Sequence, residues 1–159
     1  MAAYFNVEQS PAVPYATHAT PNTEDPTLVL RQTARNCDLM SITVCGRAAA
    51  ASTIGSIGYK VRRWTTVGSG GTSVTPAPTR IGATASTVCV DKASAITAGT
   101  VSGAIVGGFG CSKSGPGGWT ARDQDDYCTL EGGSADEFDI NSLAGEASLP
   151  HTVGCKIAE

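Results

Sequence analysis

The segment DLMSITVCGR, residues 38–47, alternates its side chains strictly: Met40, Ile42 and Val44 fall on one face, Leu39, Ser41, Thr43 and Cys45 on the other. A helix has no use for such a pattern, whereas a half-buried strand requires it, because successive strand side chains point to opposite faces. The same alternation returns in GSIGYKVRRWTTV, with Ile57, Tyr59 and Val61 in phase, and in HTVGCKIAE, where Val153, Cys155 and Ile157 oppose Thr152, Gly154 and Lys156. STVCVDK, GTVSGAIVGGFGCS, DYCTLEG and EFDINS supply further short strands. Gly103, Gly107, Gly108 and Gly110 would each weaken a helix by about 1 kcal/mol and suit bulges or close backbone approach. AAAASTIG reads as a loop or a single helical turn, and SGPGGWT as a turn. About seven to nine strands with Gly and Pro punctuation predict an all-β fold, a single antiparallel β-sandwich or jelly-roll-like barrel.

At 159 residues the chain fits one such domain with an arm. Four prolines, Pro11, Pro14, Pro21 and Pro26, are spaced so that neither a long helix nor a central strand forms in residues 1–27, which read as an extended N-terminal arm preceding a sandwich domain at 28–159. Within the arm AAYFNVEQ alternates and could add one short strand to a sheet edge, with Tyr4, Phe5 and Val7 giving it something to dock.

Charged residues make up 16% of the chain and aromatics 6%, so the core must be built from small and β-branched side chains. A core of that kind gains from burial against neighbouring subunits, which predicts a homo-oligomer. The formal net charge of -3 provides no footprint for a nucleic-acid backbone. Lys60, Arg62 and Arg63 form a short basic cluster, read first as a solvated strand edge and otherwise as a phosphate or assembly contact. The chain lacks the basic and apolar blocks of a signal peptide, and no run approaches the roughly 18 apolar residues of a membrane span, so a soluble protein made in the cytoplasm is expected.

KVRRWTTVGSGGTSVTPAPTRIG, residues 60–82, passes from a basic strand through a Gly-rich reversal into Thr-Pro-Ala-Pro. Gly68, Gly70 and Gly71 permit the reversal, while Pro76 and Pro78 favour an extended path without regular ladder bonds. The segment is expected to end one strand, space the next and meet a neighbour.

Chemistry is sparse. Cys37, Cys45, Cys89, Cys111, Cys128 and Cys155 form no CxxC pair and have no nearby His, so zinc is not expected. They read as buried small hydrophobes or as disulfide partners once the protein leaves a reducing compartment, with the pairing open. His18 lies in the arm and His151 opens the last strand; GxSxG is absent, and no catalytic role is assigned to either. Neither GxxxxGK[ST] nor a strand-to-helix GxGxxG occurs, so no nucleotide cofactor is expected. More than half of the 14 carboxylates lie in RDQDDYCTLEGGSADEFDINSLAGE. Asp123, Asp125 and Asp126 could offer oxygens to calcium, but the EF-hand order of ligands is missing. The segment reads first as a solvated loop, and otherwise as an intersubunit contact facing Arg62.

Arg63, Thr65, Thr66, Gly71, Thr72, Thr75 and Pro76, together with the final strand to Glu159 and the AAYFNVEQSPA opening, resemble small β-rich structural proteins of tailed bacteriophages. The resemblance covers about half the chain and includes no catalytic motif. It implies a non-enzymatic virion component: a capsid decoration or cement protein, commonly trimeric, that bridges capsomers of the major capsid protein. Assembly contacts would then involve Tyr4, Phe5, Val7, Lys60, Arg62 and Arg63. Two alternatives stand beside it, a tail, fibre or self-polymerising tube subunit, and a carbohydrate-binding module or hydrolase using the acidic segment with Trp119 or Tyr127 as a stacking platform.

Overall fold

A computed structural model describes residues 2–8, 27–31, 34–46, 56–97, 100–112, 116–134, 136–144 and 151–159. The strands run in chain order as β1 Tyr4–Glu8, β2 Leu28–Arg31, β3 Cys37–Gly46, β4 Ser56–Trp64, β5 Ser69–Val74, β6 Ala77–Pro78, β7 Val88–Thr97, β8 Val101–Ser112, β9 Pro116–Thr120, β10 Cys128–Leu130, β11 Glu137–Ala144 and β12 His151–Ala158. One 3₁₀ turn, Gln124–Asp126, precedes β10.

Two antiparallel sheets face each other, as the alternating segments require. The first has the order β10-β3-β12-β1-β6, with β9 also paired to β3; the second has the order β5-β7-β2-β11-β4-β8. The first sheet sends Phe5, Val7, Leu39, Ile42, Val44, Val153 and Ile157 into the core. The second answers with Leu28, Leu30, Tyr59, Val61, Phe138 and Ile140. This is the all-β sandwich that the periodicity predicts.

Strict alternation fails in one informative place. It sets Leu39 and Ile42 on opposite faces, yet they are 0% and 1% exposed in the same core. The ladder between β12 and β3 steps from Lys156↔Ser41 to Ile157↔Leu39, leaving Met40 as an extra residue. Such a bulge resets the phase of a strand. The Met40 carbonyl is then satisfied from outside the ladder by the Ala121 N–H, at 2.9 Å.

The short strand expected of AAYFNVEQ forms, as an inner strand of this chain's own first sheet. Tyr4–Glu8 forms β1, an inner strand paired to β12 along its whole length and to β6 on its other side. Phe5 and Val7 are 0% and 1% exposed, and burying each contributes about 1.5–3 kcal/mol relative to exposure. Thr27 is buried too and donates its N–H to the Ile140 carbonyl at 2.8 Å. Residues 9–26, with the four prolines and His18, lie outside the described residues, as does the whole of AAAASTIG, residues 48–55.

Two segments read as loop or turn are strands. SGPGGWT contains β9, which lies so close to β3 that a Cβ on Gly118 would sit 2.2 Å from the Ile42 carbonyl oxygen. The glycine that suggests a turn is there to allow backbone contact. In the Gly-to-Pro segment, β5 pairs with β7 through a register shift at Gly71, whose φ is 81°. The following β6 lays Ala77 and Pro78 along the edge of β1. Pro78 has no N–H to offer a further strand, so this short proline-bearing piece finishes the sheet there.

The last described residue ties three elements together. Glu159 exchanges backbone hydrogen bonds with Ala3, and its carboxylate accepts from the Thr87 N–H at 2.7 Å, the Thr87 hydroxyl at 2.6 Å and the Ser86 N–H at 2.8 Å. Partial burial alone would raise this carboxyl, but the bonds from Thr87 and Ser86 outweigh it and hold the group below its ordinary value of 4.5. A carboxyl lowered in the folded state adds stability above the unfolded value and loses it as pH falls through the folded one. Urea unfolding of wild type and Glu159→Gln should therefore differ at neutral pH, wild type being the more stable, and the difference should shrink as pH falls below about 4.5 and disappear once it passes below the lowered folded value. A gap independent of pH would show that the charge is not involved.

Candidate functional site

The two arginines of the basic segment are spent inside the chain. β4 and β11 pair with Asp139↔Arg62 and Phe138↔Arg63, which sets the late acidic segment beside the arginines. Arg62 grips Asp139 with Nε to Oδ1 at 3.0 Å and a second, shorter bond from Nη2 to Oδ2, and the two side chains are 5% and 0% exposed. The Arg62 guanidinium also stacks over Trp64, 4.9 Å from the ring centroid. Arg63 pairs with Asp136 nearer the surface. Arg31 donates to Glu137 at 2.9 Å, and Glu137 accepts the Gly68 N–H at 3.0 Å, so the turn between β4 and β5 is held down on the face of β11.

The contact expected between subunits is thus formed within one chain. Arg62 is removed from the interface candidates, and Phe5 and Val7 leave them as core residues. Lys60 and Arg63 are half-buried, whereas Tyr4 remains exposed. Burial pushes the Asp139 carboxyl up, with Arg62 pulling against it. Removing one partner of such a pair strands the other charge and costs about 3–5 kcal/mol, while replacing both with apolar groups costs far less.

Cys37, Cys89 and Cys155 are buried free thiols in the core, Cys128 is half-buried and Cys45 is exposed. The Cys111 side chain lies outside the described residues. Burial pushes the Cys37 thiol up to about 12 and raises Cys89 and Cys155 as well. At neutral pH these three are protonated and act as small apolar side chains. In the acidic segment, Asp123 caps the 3₁₀ turn by accepting the Asp125 N–H at 3.1 Å. Among the described residues no three His, Cys, Asp or Glu side chains are gathered as for a metal. Trp119 packs partly buried against the core and Tyr127 is half-buried, so neither offers the open ring expected of a stacking platform.

What remains open is the outer face of the first sheet. The registers align three rungs across it: Asn6, Lys156, Ser41 and Thr120; then Glu8, Gly154, Thr43 and Gly118; then Thr152, Cys45 and Pro116. Because the middle rung has Gly154 where its neighbours carry side chains, a groove of about 340 Å³ runs between β1, β12 and β3. A Cβ on Gly154 would meet the Val7 carbonyl oxygen at 3.1 Å, so the glycine also lets β1 lie close. At one end Lys156 Nζ lies 5.3 Å from the centroid of the Tyr4 ring.

Beside the Tyr4 end, Thr79 donates its N–H and hydroxyl to the Tyr4 carbonyl, at 2.9 and 3.1 Å. Two residues further on, Ile81 stands wholly exposed in a turn completed by Gly82 at φ 82°. Periodicity marks Thr152, Gly154 and Lys156 as one outward face. Which strands flank them, and therefore the groove and the Ile81 tip, has no signal in a single sequence.

No family model, curated protein or solved structure matches the chain. Among the described residues no helix is long and apolar enough to cross a membrane.

The buried pair gives a direct test of the charge account. Arg62→Met should lower unfolding free energy at pH 7 by about 3–5 kcal/mol, and Arg62→Met/Asp139→Leu should recover most of it. A single variant as stable as wild type would mean that the pair is solvated.

Proposed function

We propose that the chain is a non-enzymatic structural protein of a tailed-bacteriophage virion, a decoration protein that docks on the head shell and bridges copies of the major capsid protein. The phage assignment is supported by the resemblance in the segments around Arg63–Pro76 and at the final strand to Glu159. The docking role is carried by one observation: Ile81, wholly exposed on a turn anchored to the Tyr4 backbone, with Tyr4 itself 40% exposed. A large apolar side chain at a firmly held tip suits insertion into a pocket on a partner, where a few such anchors dominate binding.

The arginines support the same reading. Arg31, Arg62 and Arg63 each have a carboxylate partner within the chain. Those charges are met within the chain on the second sheet, and the contact proposed at this end is made by Ile81 and Tyr4 beside the exposed Arg80. In this proposal the protein is made in the host cytoplasm, assembles as a homotrimer and resides in the particle.

The experiment uses shells lacking the decoration protein, mixed with purified wild type or Ile81→Asp and sedimented. Wild type should pellet with the shells at saturable stoichiometry, and Ile81→Asp should bind at least about tenfold more weakly. Wild type left in the supernatant would refute the decoration role. Equal binding by the variant would remove the Tyr4–Ile81 end as its site.

A further inference from the structure

The groove on the first sheet has a chemistry that capsid docking does not use. Its walls carry the Asn6 amide and the hydroxyls of Ser41, Thr43 and Thr152, and its charges are one carboxylate, Glu8, and one ammonium, Lys156. An amide and a hydroxyl each donate and accept. Among the described residues, none of the side chains of Asn6, Ser41, Thr43 and Thr152 is committed to another hydrogen bond. The three rungs span four residue steps along a strand, about 13 Å. The trough is therefore elongated and bordered by groups able to pair with either half of a hydroxyl.

Two classes of ligand fit this surface poorly. An extended peptide gains its affinity by pairing its main chain with a sheet edge. Here β12 is hydrogen-bonded to β1 on one side and β3 on the other, so it offers side chains and no free ladder. An anionic ligand needs excess positive charge, and Glu8 offsets Lys156. What fits is a neutral, elongated molecule dense in hydroxyls.

We infer that the groove between β1, β12 and β3 binds a neutral oligosaccharide, held by Asn6, Ser41, Thr43 and Thr152 and oriented by Glu8 and Lys156. Tyr4 stands just beyond that lining, on the same exposed face of β1 as Asn6 and with Lys156 beside its ring, where it could offer an apolar contact to a longer sugar chain. This places a sugar site away from Trp119 and the acidic segment. It does not depend on the virion reading, since the groove is formed by one chain.

The test is a glycan array of neutral and acidic oligosaccharides probed with the full chain, followed by calorimetric titration of the ligands retained. Wild type should select neutral glycans. Thr43→Phe, at an exposed strand position, fills the trough and should weaken binding at least about tenfold, with its melting temperature kept. Ser73→Phe, exposed on β5 of the other sheet, should bind like wild type. Should Thr43→Phe fail to fold, Asn6→Ala carries the same test with a several-fold loss expected. A blank array, selection of acidic glycans only, or unchanged binding by the groove variants would each overturn the assignment.

Discussion

The closure of the core at one edge of the first sheet, and the groove outside it, depend on β1 lying between β12 and β6. The pairing joins residues from opposite ends of the described chain, Tyr4↔Ala158 through Glu8↔Gly154, and drives Phe5 and Val7 into the core beside Val153 and Ile157. Without β1, the β12 edge would stand open, β6 would have nothing to pair with, and the groove would lose the wall that carries Asn6 and Glu8. Gly154 makes the arrangement possible, since a side chain there would press on the Val7 carbonyl. One contact thus closes the core, finishes the sheet at a proline-bearing strand and shapes the outer surface.

The second sheet solves a different problem. Its β11 strand sends Phe138 and Ile140 inward and Glu137, Asp139 and Asn141 to the other face, where they are also buried. Buried carboxylates demand partners, and Arg31 and Arg62 provide them from the flanking strands β2 and β4. The cost of stranding either member makes register slippage of β11 unfavourable, because a one-residue shift would turn Asp139 toward the core. Charge on this sheet therefore helps to specify the fold, while the groove on the first sheet keeps one carboxylate and one ammonium, Glu8 and Lys156, among its hydroxyls.

The sequence made the fold class legible and several faces with it. Tyr59 and Val61, and Val153, Cys155 and Ile157, are buried in the phase that alternation assigns. What stayed hidden depends on neighbours far along the chain. The Met40 bulge is invisible because it exists only relative to β12. Gly118 reads as a turn residue until β3 is placed against it, and Arg62 reads as a surface cation until Asp139 comes alongside. Prolines after Glu8 suggest an arm, but they say nothing of the five residues before them, where Tyr4–Glu8 already held the alternation of a strand. The groove follows the same logic: its residues come from three separate segments, each unremarkable alone.

The most direct test of this account is hydrogen exchange at the amides of residues 4–8 in the native full chain. If β1 is an inner strand, these amides should be protected to the same degree as those of β12 and should open only with global unfolding. Rapid exchange at residues 4–8 beside a protected β12 would make them a loosely attached arm. It would contradict the β1–β12 pairing, and with it the groove and the Tyr4–Ile81 end as described.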